Sequence, residues 1–593
     1  MNDTGETALS VVCEKKVTHA NVVEMLLKFG ADPNICFPLH DVCKNNNLDT
    51  VQLLLAYGAD ANRVKESQLL HLLEEHAGVL WLVDSPVCTQ HIEPSPLCIA
   101  CKNGNVAMVD CLLQNGAGTT FVDGDGNSVL HFAVERLGQQ ANSEGYAYDP
   151  IITLLLQHNA EVNVVSSRGE TPLYVACAKG LTGVVKQLLD SRANVDLTTS
   201  NSNKYPLLIA CEKKYREIAI MLLDRGADAN MSKDNQTPLK LAAANADAEL
   251  VKKMLTCGAD VNQMKNISDT ALHAAVAPCS GNETFVQIVQ MLLKSGAESN
   301  VLNSRGETPL YLACRPTGGA VNVHIVQTLL EHGAVPNMSM PCEDSSPLSF
   351  YRSVMPPLSV AASCGNTELT TLLIKFGARL DQCDKLGRTA LHFAIDSDDI
   401  CFARHSKSPK NGTSTVEILL SAGADANVMD STGASPLYLA CKKGKTEVVK
   451  LLLSRGASPN SGTTAMHPIH TACRGQHYDS VKLLLEYKAD VTVRDTNGKT
   501  ALHRALEFTT RRSDNISDLS QLLLDKGADS DAESYDGETP FYVACSNGLT
   551  PVVAKMLECG AKVDGNSGKK LPLIAACTNK HCSAAVADQW SGS

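Results

Sequence analysis

A block of about 33 residues returns along this chain, and a chain written that way folds as a row of like units rather than as separate globular domains. Residues 167 to 196, SRGETPLYVACAKGLTGVVKQLLDSRANVD, and residues 431 to 460, STGASPLYLACKKGKTEVVKLLLSRGASPN, keep the same residue types at the same offsets. Thr171 or Ser435 stands where a hydroxyl caps a helix N-terminus, and Pro172 or Pro436 takes the first helical position, whose N–H lacks a helical partner anyway. Leu173, Ala176 and Cys177 then share one face, with small residues where a neighbouring helix comes close. Gly180 or Gly444 ends this helix. A second helix turns Val184, Val185, Leu188 and Leu189 inward and closes in most copies at a Gly-Ala pair such as Gly226-Ala227 or Gly423-Ala424. A D-x-x-G turn follows, as from Asp430 to Gly433 and from Asp495 to Gly498, and predicts a hairpin finger between blocks.

Helix starts fall at Thr7, Phe37, Ser95, Ser128, Thr171, Tyr205, Thr237, Thr270, Thr308, Pro356, Thr389, Ser435, His467, Thr500, Thr539 and Leu571. A unit with T-P-L-x-x-A and L-L-x-x-G-A-D-x-N resembles the ankyrin repeat family, and the resemblance covers almost the whole chain. It implies an all-α repeat solenoid, an ankyrin array of about sixteen helix-turn-helix units with β-hairpin fingers. The expected layout is repeats over 1–62, an irregular or degenerate repeat segment over 63–94, repeats over 95–337, a loop or soft joint over 338–355, repeats over 356–582 and a polar tail over 583–593. In the irregular segment Leu69, Leu70, Leu72, Leu73, Leu80 and Trp81 are apolar enough to pack, as a degenerate repeat or as a helix covering the array. Arg192 and Lys488 stand where glycine usually caps, at about 1 kcal/mol each if the backbone is left-handed, so those joints are expected to be looser. Both ends interrupt ordinary repeats, which predicts a fragment of a longer protein.

A longer period runs over the short one. Copies at Ser128, Thr270, Thr389 and Thr500 carry L-H-x-A and an enlarged polar stretch before their second helix. Each precedes a tyrosine copy, at Thr171, Thr308, Ser435 or Thr539, and then a plain copy, at Tyr205, Pro356, His467 or Leu571, with one extra copy at Thr237. The array reads as duplicated blocks of three. The enlarged stretches include residues 136 to 149, 277 to 285, 396 to 414 and 507 to 517, and read as surface loops, which cost little loop entropy.

Chemistry is expected to be absent. His131, His273, His392, His470 and His503 recur at one motif position and read as structural residues that hydrogen-bond near a helix start. Cys98 and Cys101 have metal-like spacing but no second pair answers them. The run from Asp123 to Asn127 mimics a calcium loop, yet Ser128 replaces its glycine and Val134 its glutamate. Gly444 and Gly498, each followed by Lys-Thr, lack the upstream glycine of a phosphate loop. No catalytic residue, metal or cofactor is predicted. Of the 22 cysteines, Cys13, Cys101, Cys177, Cys211, Cys314, Cys441, Cys473, Cys545 and Cys577 occupy one repeated core position. One helix spacing of roughly 8–10 Å is beyond the reach of a disulfide, about 7 Å between Cα atoms. Free buried thiols predict a reducing, cytoplasmic location, with the nucleus open, and make sequons such as that at Asn282 chance matches.

Lys and Arg number 52 against 64 Asp and Glu, for a net charge of −12, which argues against nucleic acid or an anionic membrane as partner. Nor does any stretch reach the roughly 18 apolar residues of a membrane helix. The family binds proteins on a concave face of finger tips and inner helices, and the motif places Arg168, Glu170, Lys179, Arg305, Glu307, Arg315, Lys385, Arg388, Lys442, Lys443, Lys499 and Tyr535 there. The expected function is therefore a scaffold or adaptor, a monomeric array gripping a protein partner, with Arg and Tyr as anchors. Two alternatives stand beside it: the substrate-recruiting arm of a larger enzyme such as a ubiquitin ligase, kinase or ADP-ribosyltransferase, and a membrane–cytoskeleton adaptor. Asn62, Asn230, Asn262 and Asn427 resemble family positions that accept asparagine hydroxylation.

Overall fold

Many blocks open their first helix with a cap that a Ser or Thr of their own sequence supplies, while those starting at Phe37, Tyr205, Pro356 and His467 have no side-chain cap. Thr171, in extended backbone, accepts the N–H of Tyr174 through its hydroxyl, and Pro172 begins the helix Pro172–Lys179. Gly180 closes that helix in the left-handed region at φ 74°. A Cβ there would stand 2.7 Å from the ring of Tyr215 in the next block, so both backbone and space require glycine. Gly444 repeats the arrangement against the imidazole of His477.

The computed structural model describes residues 6–15, 19–64, 93–137, 148–197, 205–264, 268–278, 282–316, 321–338, 355–396, 412–507, 513–563, 571–572 and 574–575. Thirty helices form among them, as fifteen consecutive pairs. The fifteen expected starts from Thr7 to Thr539 each immediately precede a first helix; the sixteenth, at Leu571, lies largely outside the described residues.

The chain divides into two compact units, residues 1–275 with 294–297, and residues 276–293 with 298–593. Within each, first helices stack on first helices and second on second. In the first unit Pro96–Asn103 packs against Pro38–Lys44 and Val129–Leu137, while Val106–Gln114 packs against Leu48–Ala56 and Pro150–Gln157. In the second, Pro436–Lys443 packs against Ala390–Ile395 and Pro468–Arg474, and Thr446–Ser454 against Gly412–Ser421 and Tyr478–Glu486. Ala176, Cys177, Ala440 and Cys441 are fully buried between first helices, and Leu188 and Leu452 beneath second ones. Burial pushes the thiols of Cys98, Cys211 and Cys545 up to about 12 and those of Cys177 and Cys441 higher still, so they stay protonated and unreactive.

Residues 65–92 and 339–354, which carry the expected irregular segment and most of the expected joint, lie outside the described residues. The blocks on either side stack directly. Asn103 Nδ2 donates to the Cys43 carbonyl at 2.8 Å and Asn62 Nδ2 to that of Gly116 at 3.0 Å, and Asn337 Nδ2 reaches the Gly377 carbonyl at 2.8 Å. The row therefore continues through both interruptions. Part of each enlarged stretch is likewise undescribed, but in three of them the described C-terminal end is helix. Glu283–Lys294, Gly412–Ser421 and Ser513–Asp525 run 12, 10 and 13 residues against 9 for Thr182–Asp190, so residues read as insert from sequence instead begin the second helix.

Arg192 and Lys488 both lie in the left-handed region at φ 65°, as does Asn159 at φ 59°. There the Cβ of an L-residue crowds the following carbonyl, so Arg192→Gly and Lys488→Gly are each expected to stabilise their unit by about 1 kcal/mol. Urea unfolding of each variant measures this, and an unchanged midpoint would show that the residues carry no strain.

Candidate functional site

The fingers are closed turns set by one side chain each. Asp495 Oδ1 accepts the N–H groups of Asn497 at 2.8 Å and Lys499 at 2.9 Å, while the backbone N–H of Gly498 returns to the Asp495 carbonyl at 2.9 Å. Asp123, Asp384, Asp430 and Asn303 make the same pair of bonds, and the Ser166 and Ser534 hydroxyls accept from Glu170 and Glu538. A side-chain oxygen one or two bonds from Cβ reaches the chain's own N–H groups up to four residues on, which is why Asp, Asn and Ser hold this position. Burial raises the Asp495 carboxyl, but the Lys499 and Asn497 N–H groups and the Arg504 guanidinium outweigh it and hold the group below the usual carboxylate range. The Val122–Ser128 and Cys383–Thr389 hairpins are each closed by one isolated β-bridge.

Fingers are also joined in twos. The Ser167 N–H donates to the Asp125 carbonyl at 2.8 Å, that of Ser431 to Leu386 at 2.8 Å and that of Tyr535 to Asn497 at 3.0 Å. A second tie lies beneath each. His131 Nδ1 accepts the Ser128 N–H at 3.0 Å, so its proton sits on Nε2, which reaches the Glu170 carbonyl at 3.0 Å. His392 and His503 do the same, from Thr389 to the Ala434 carbonyl and from Thr500 to the Glu538 carbonyl. Burial lowers the basicity of His131 and His392 and pushes His503 down to about 4. In these three rounds the histidine copy and the tyrosine copy that follows it form one two-finger pair, which gives two of the three copies in the long sequence period a physical link.

The twelve residues expected on the binding face divide by environment. Arg168, Arg305, Lys385 and Tyr535 lie exposed at finger tips, Tyr535 by 76%, and Lys442 is exposed on its first helix. The others are engaged within the array. Lys179 Nζ donates to the Glu135 carbonyl at 2.5 Å. Glu307 is buried and accepts from Arg315 at 3.0 Å and Asn303 at 3.3 Å. Arg388 grips Asp384 through Nε at 3.0 Å and Nη2 at 2.8 Å, with its guanidinium 4.5 Å from the Phe393 ring centre. Lys443 pairs with Asp396 at 3.0 Å, and Lys499 with Glu507 at 2.6 Å and Glu538 at 3.3 Å. Glu170 contributes its carbonyl to His131. Sequence reasoning missed Asp384, Asp396 and Glu507, which pair with Arg388, Lys443 and Lys499, because a repeat motif marks where charges stand in the block and not which of them meet.

Between the paired fingers of the second unit a cleft of about 200 Å³ opens over Phe393, Tyr438 and Met466, rimmed by Arg388, Asp430 and Lys442. Its size suits one large side chain. The four candidate asparagines make the joints between successive turns: Asn62, Asn230, Asn262 and Asn427 donate through Nδ2 to the carbonyls of Gly116, Gly258, Gly296 and Gly456 at 3.0, 3.2, 2.9 and 3.1 Å. Asn34 and Asn300 make the same contact and were not singled out from sequence. Among the described residues, no group of three or more His, Cys, Asp or Glu is placed to hold a metal ion, and no helix is long and apolar enough to cross a membrane.

Comparison with known proteins gives the following. The profile described as "Ankyrin repeats (3 copies)" matches residues 1–65, 137–234, 239–340, 406–495, 466–532 and 508–587, and that described as "Ankyrin repeat" matches residues 95–123. The chain is similar to human Ankyrin repeat and SOCS box protein 16, 32% identical over 36% of this chain and 45% of that protein. It is similar to E3 ubiquitin-protein ligase KEG of Arabidopsis thaliana, 26% identical over 63% of this chain and 20% of the ligase. It is also similar to human Transient receptor potential cation channel subfamily A member 1, 26% identical over 78% of this chain and 32% of the channel. The chain thus spans less than half the length of each of these relatives.

Proposed function

The chain belongs to the ankyrin repeat family, and from that premise we infer that it is a non-catalytic scaffold or adaptor that holds a protein partner on its finger and first-helix face. Ankyrin repeats mediate protein–protein interaction, and the finer reading rests on one observation. Arg168, Arg305, Lys385 and Tyr535 project from tips whose backbones are fixed by side-chain turns, while the charges beneath are matched internally. Arg and Tyr on a rigid support lose little conformational freedom on docking, and such residues dominate interface energetics. The Phe393 cleft offers a socket for one partner side chain.

The test is quantitative affinity capture with Arg168→Glu in the first unit and with Arg305→Glu plus Lys385→Glu in the second. Recovery of a specific partner is expected to fall roughly tenfold or more with at least one variant, the scale of a hot-spot loss. Capture unchanged by both would reject this face.

A second reading follows from the relatives. Two of them are named as a ubiquitin ligase and a SOCS box protein, and the chain spans 20% and 45% of them; on that reading this array is the recruiting arm of a larger enzyme. A native polypeptide of 63.3 kDa would remove it. A membrane–cytoskeleton adaptor would sediment with membranes on cell fractionation, whereas the buried thiols favour a reducing cytoplasmic location. Hydroxylation at Asn62, Asn230, Asn262 or Asn427 would add one oxygen per site to the intact mass.

A further inference from the structure

The Phe393 cleft opens in the one tyrosine copy of four that lacks a glutamate before its helix cap. Glu170, Glu307 and Glu538 stand immediately before Thr171, Thr308 and Thr539, whereas Ala434 stands before Ser435. Elsewhere in the second unit that glutamate meets a cation. Glu307 Oε1 accepts from Arg315 at 3.0 Å, and Glu538 Oε2 lies 3.3 Å from Lys499 Nζ. Both cationic places are filled around Ala434. Lys442 follows Cys441 as Arg315 follows Cys314, and Arg388 precedes Thr389 as Lys499 precedes Thr500. Each of the two lines the cleft. The backbone is held as in a glutamate copy, since His392 Nε2 reaches the Ala434 carbonyl at 3.3 Å and His503 Nε2 that of Glu538 at 2.9 Å. The cleft of about 200 Å³ therefore lies beside a position that carries an acidic side chain in the other copies and carries only a methyl group here.

We infer that this cleft receives a glutamate side chain from an acidic segment of the partner protein, paired with Lys442 and Arg388; the inference rests on the finger and first-helix face being the docking surface. Charge complementarity selects this occupant. Among the described residues the Lys442 side chain is exposed and makes no ion pair or hydrogen bond. Arg388 engages Asp384 through Nε and Nη2, with its guanidinium 4.5 Å from the Phe393 ring centre, which holds Nη1 in place for another acceptor. The two acids at the cleft are already engaged. Asp396 pairs with Lys443 at 3.0 Å, and Asp430 Oδ1 accepts the N–H groups of Thr432 at 2.8 Å and Ala434 at 3.0 Å. Phe393, Tyr438 and Met466 supply walls that exclude water from an incoming carboxylate and so strengthen its pairing. A neutral side chain would leave Lys442 unmatched, and a basic one would oppose it.

Selection of a random peptide library, displayed on phage, against the purified 593-residue chain tests it. Ala434→Glu supplies the glutamate from within, as three other copies do, and should keep the circular dichroism of the parent. Lys442→Ala, at an exposed position, removes the unmatched cation without altering the core. Selected peptides are expected to share an acidic position and to bind both variants roughly tenfold or more weakly than the parent. Replacing that glutamate by glutamine in a synthetic peptide should cause a loss of the same size. Peptides that bind both variants as tightly as the parent, or a selection that yields none with a shared acidic position, would overturn the inference. Lys385→Glu separates the cleft from the face around it. Binding lost with Lys385→Glu but kept with Ala434→Glu would retain the finger row as the docking surface and remove the glutamate site.

Discussion

Asp149→Ala is expected to loosen two consecutive blocks of the first unit at a cost of about 3–5 kcal/mol. Asp149 caps Pro150–Gln157 by accepting the N–H groups of Ile151 at 2.9 Å and Ile152 at 3.1 Å through Oδ1. Its Oδ2 accepts Arg136 Nη2 at 2.5 Å, with both side chains largely buried, at 12% and 8% exposure. Its backbone exchanges two bonds with the Gln187 amide, at 3.0 and 3.1 Å, and Gln187 also donates to Thr153 Oγ1 at 2.8 Å. Removing the carboxylate therefore leaves a buried guanidinium without its counter-charge and a helix without its cap. Such a group is costlier to leave unmatched than the pair was to bury. Because repeats unfold locally, the fitting measurement is hydrogen exchange: amides of Val129–Leu137, Pro150–Gln157 and Thr182–Asp190 should exchange faster in the variant, with the second unit unchanged. Asp149→Asn keeps a capping oxygen and should fall between. Exchange unaltered in all three helices would refute the clamp.

The second large effect is acid sensitivity carried by the histidines. His503 and His470 are pushed down to about 4 by burial, and His131 and His392 are lowered from the same cause. An unfolded chain takes up protons on these residues near its ordinary value of about 6.5. The folded chain does not, since Nδ1 of His503 already accepts the Thr500 N–H and burial disfavours the cation. Unfolding thus binds protons between those values. The stabilisation is whole above about pH 6.5 and drains as the pH falls toward 4. Melting temperatures should accordingly drop across that interval. His503→Leu should cost about 2–4 kcal/mol, since the Thr500 N–H and the Glu538 carbonyl both lose a buried partner, and it should flatten part of the pH dependence. A melting temperature constant from pH 7 to 4.5 would contradict this.

What the sequence made legible is what recurs. Thr171, Pro172 and Gly180 announce a helix start and stop through chemistry that acts within four residues, and the structure places them so. The buried cysteines and the structural histidines were readable because one position repeated many times. The Asp149 clamp was not, because its partners lie 13 and 38 residues away and occur in no other block at those offsets. The motif expects Lys499 and Arg388 on the binding face without showing which charges they meet, and Glu507 and Asp384 neutralise them in three dimensions. Arg305 and Lys385, at the finger tips, stay exposed.

The most direct test of a partner-binding finger row is site-specific photocrosslinking in cells. A photoreactive residue would be placed in turn at positions 168, 305, 385 and 535 on finger tips, and at 186 and 450 on the exposed sides of second helices. The account predicts that one protein recurs as the crosslinked species at tips within a unit and is absent at the second helices. Crosslinks confined to positions 186 and 450, with none at the tips, would contradict it.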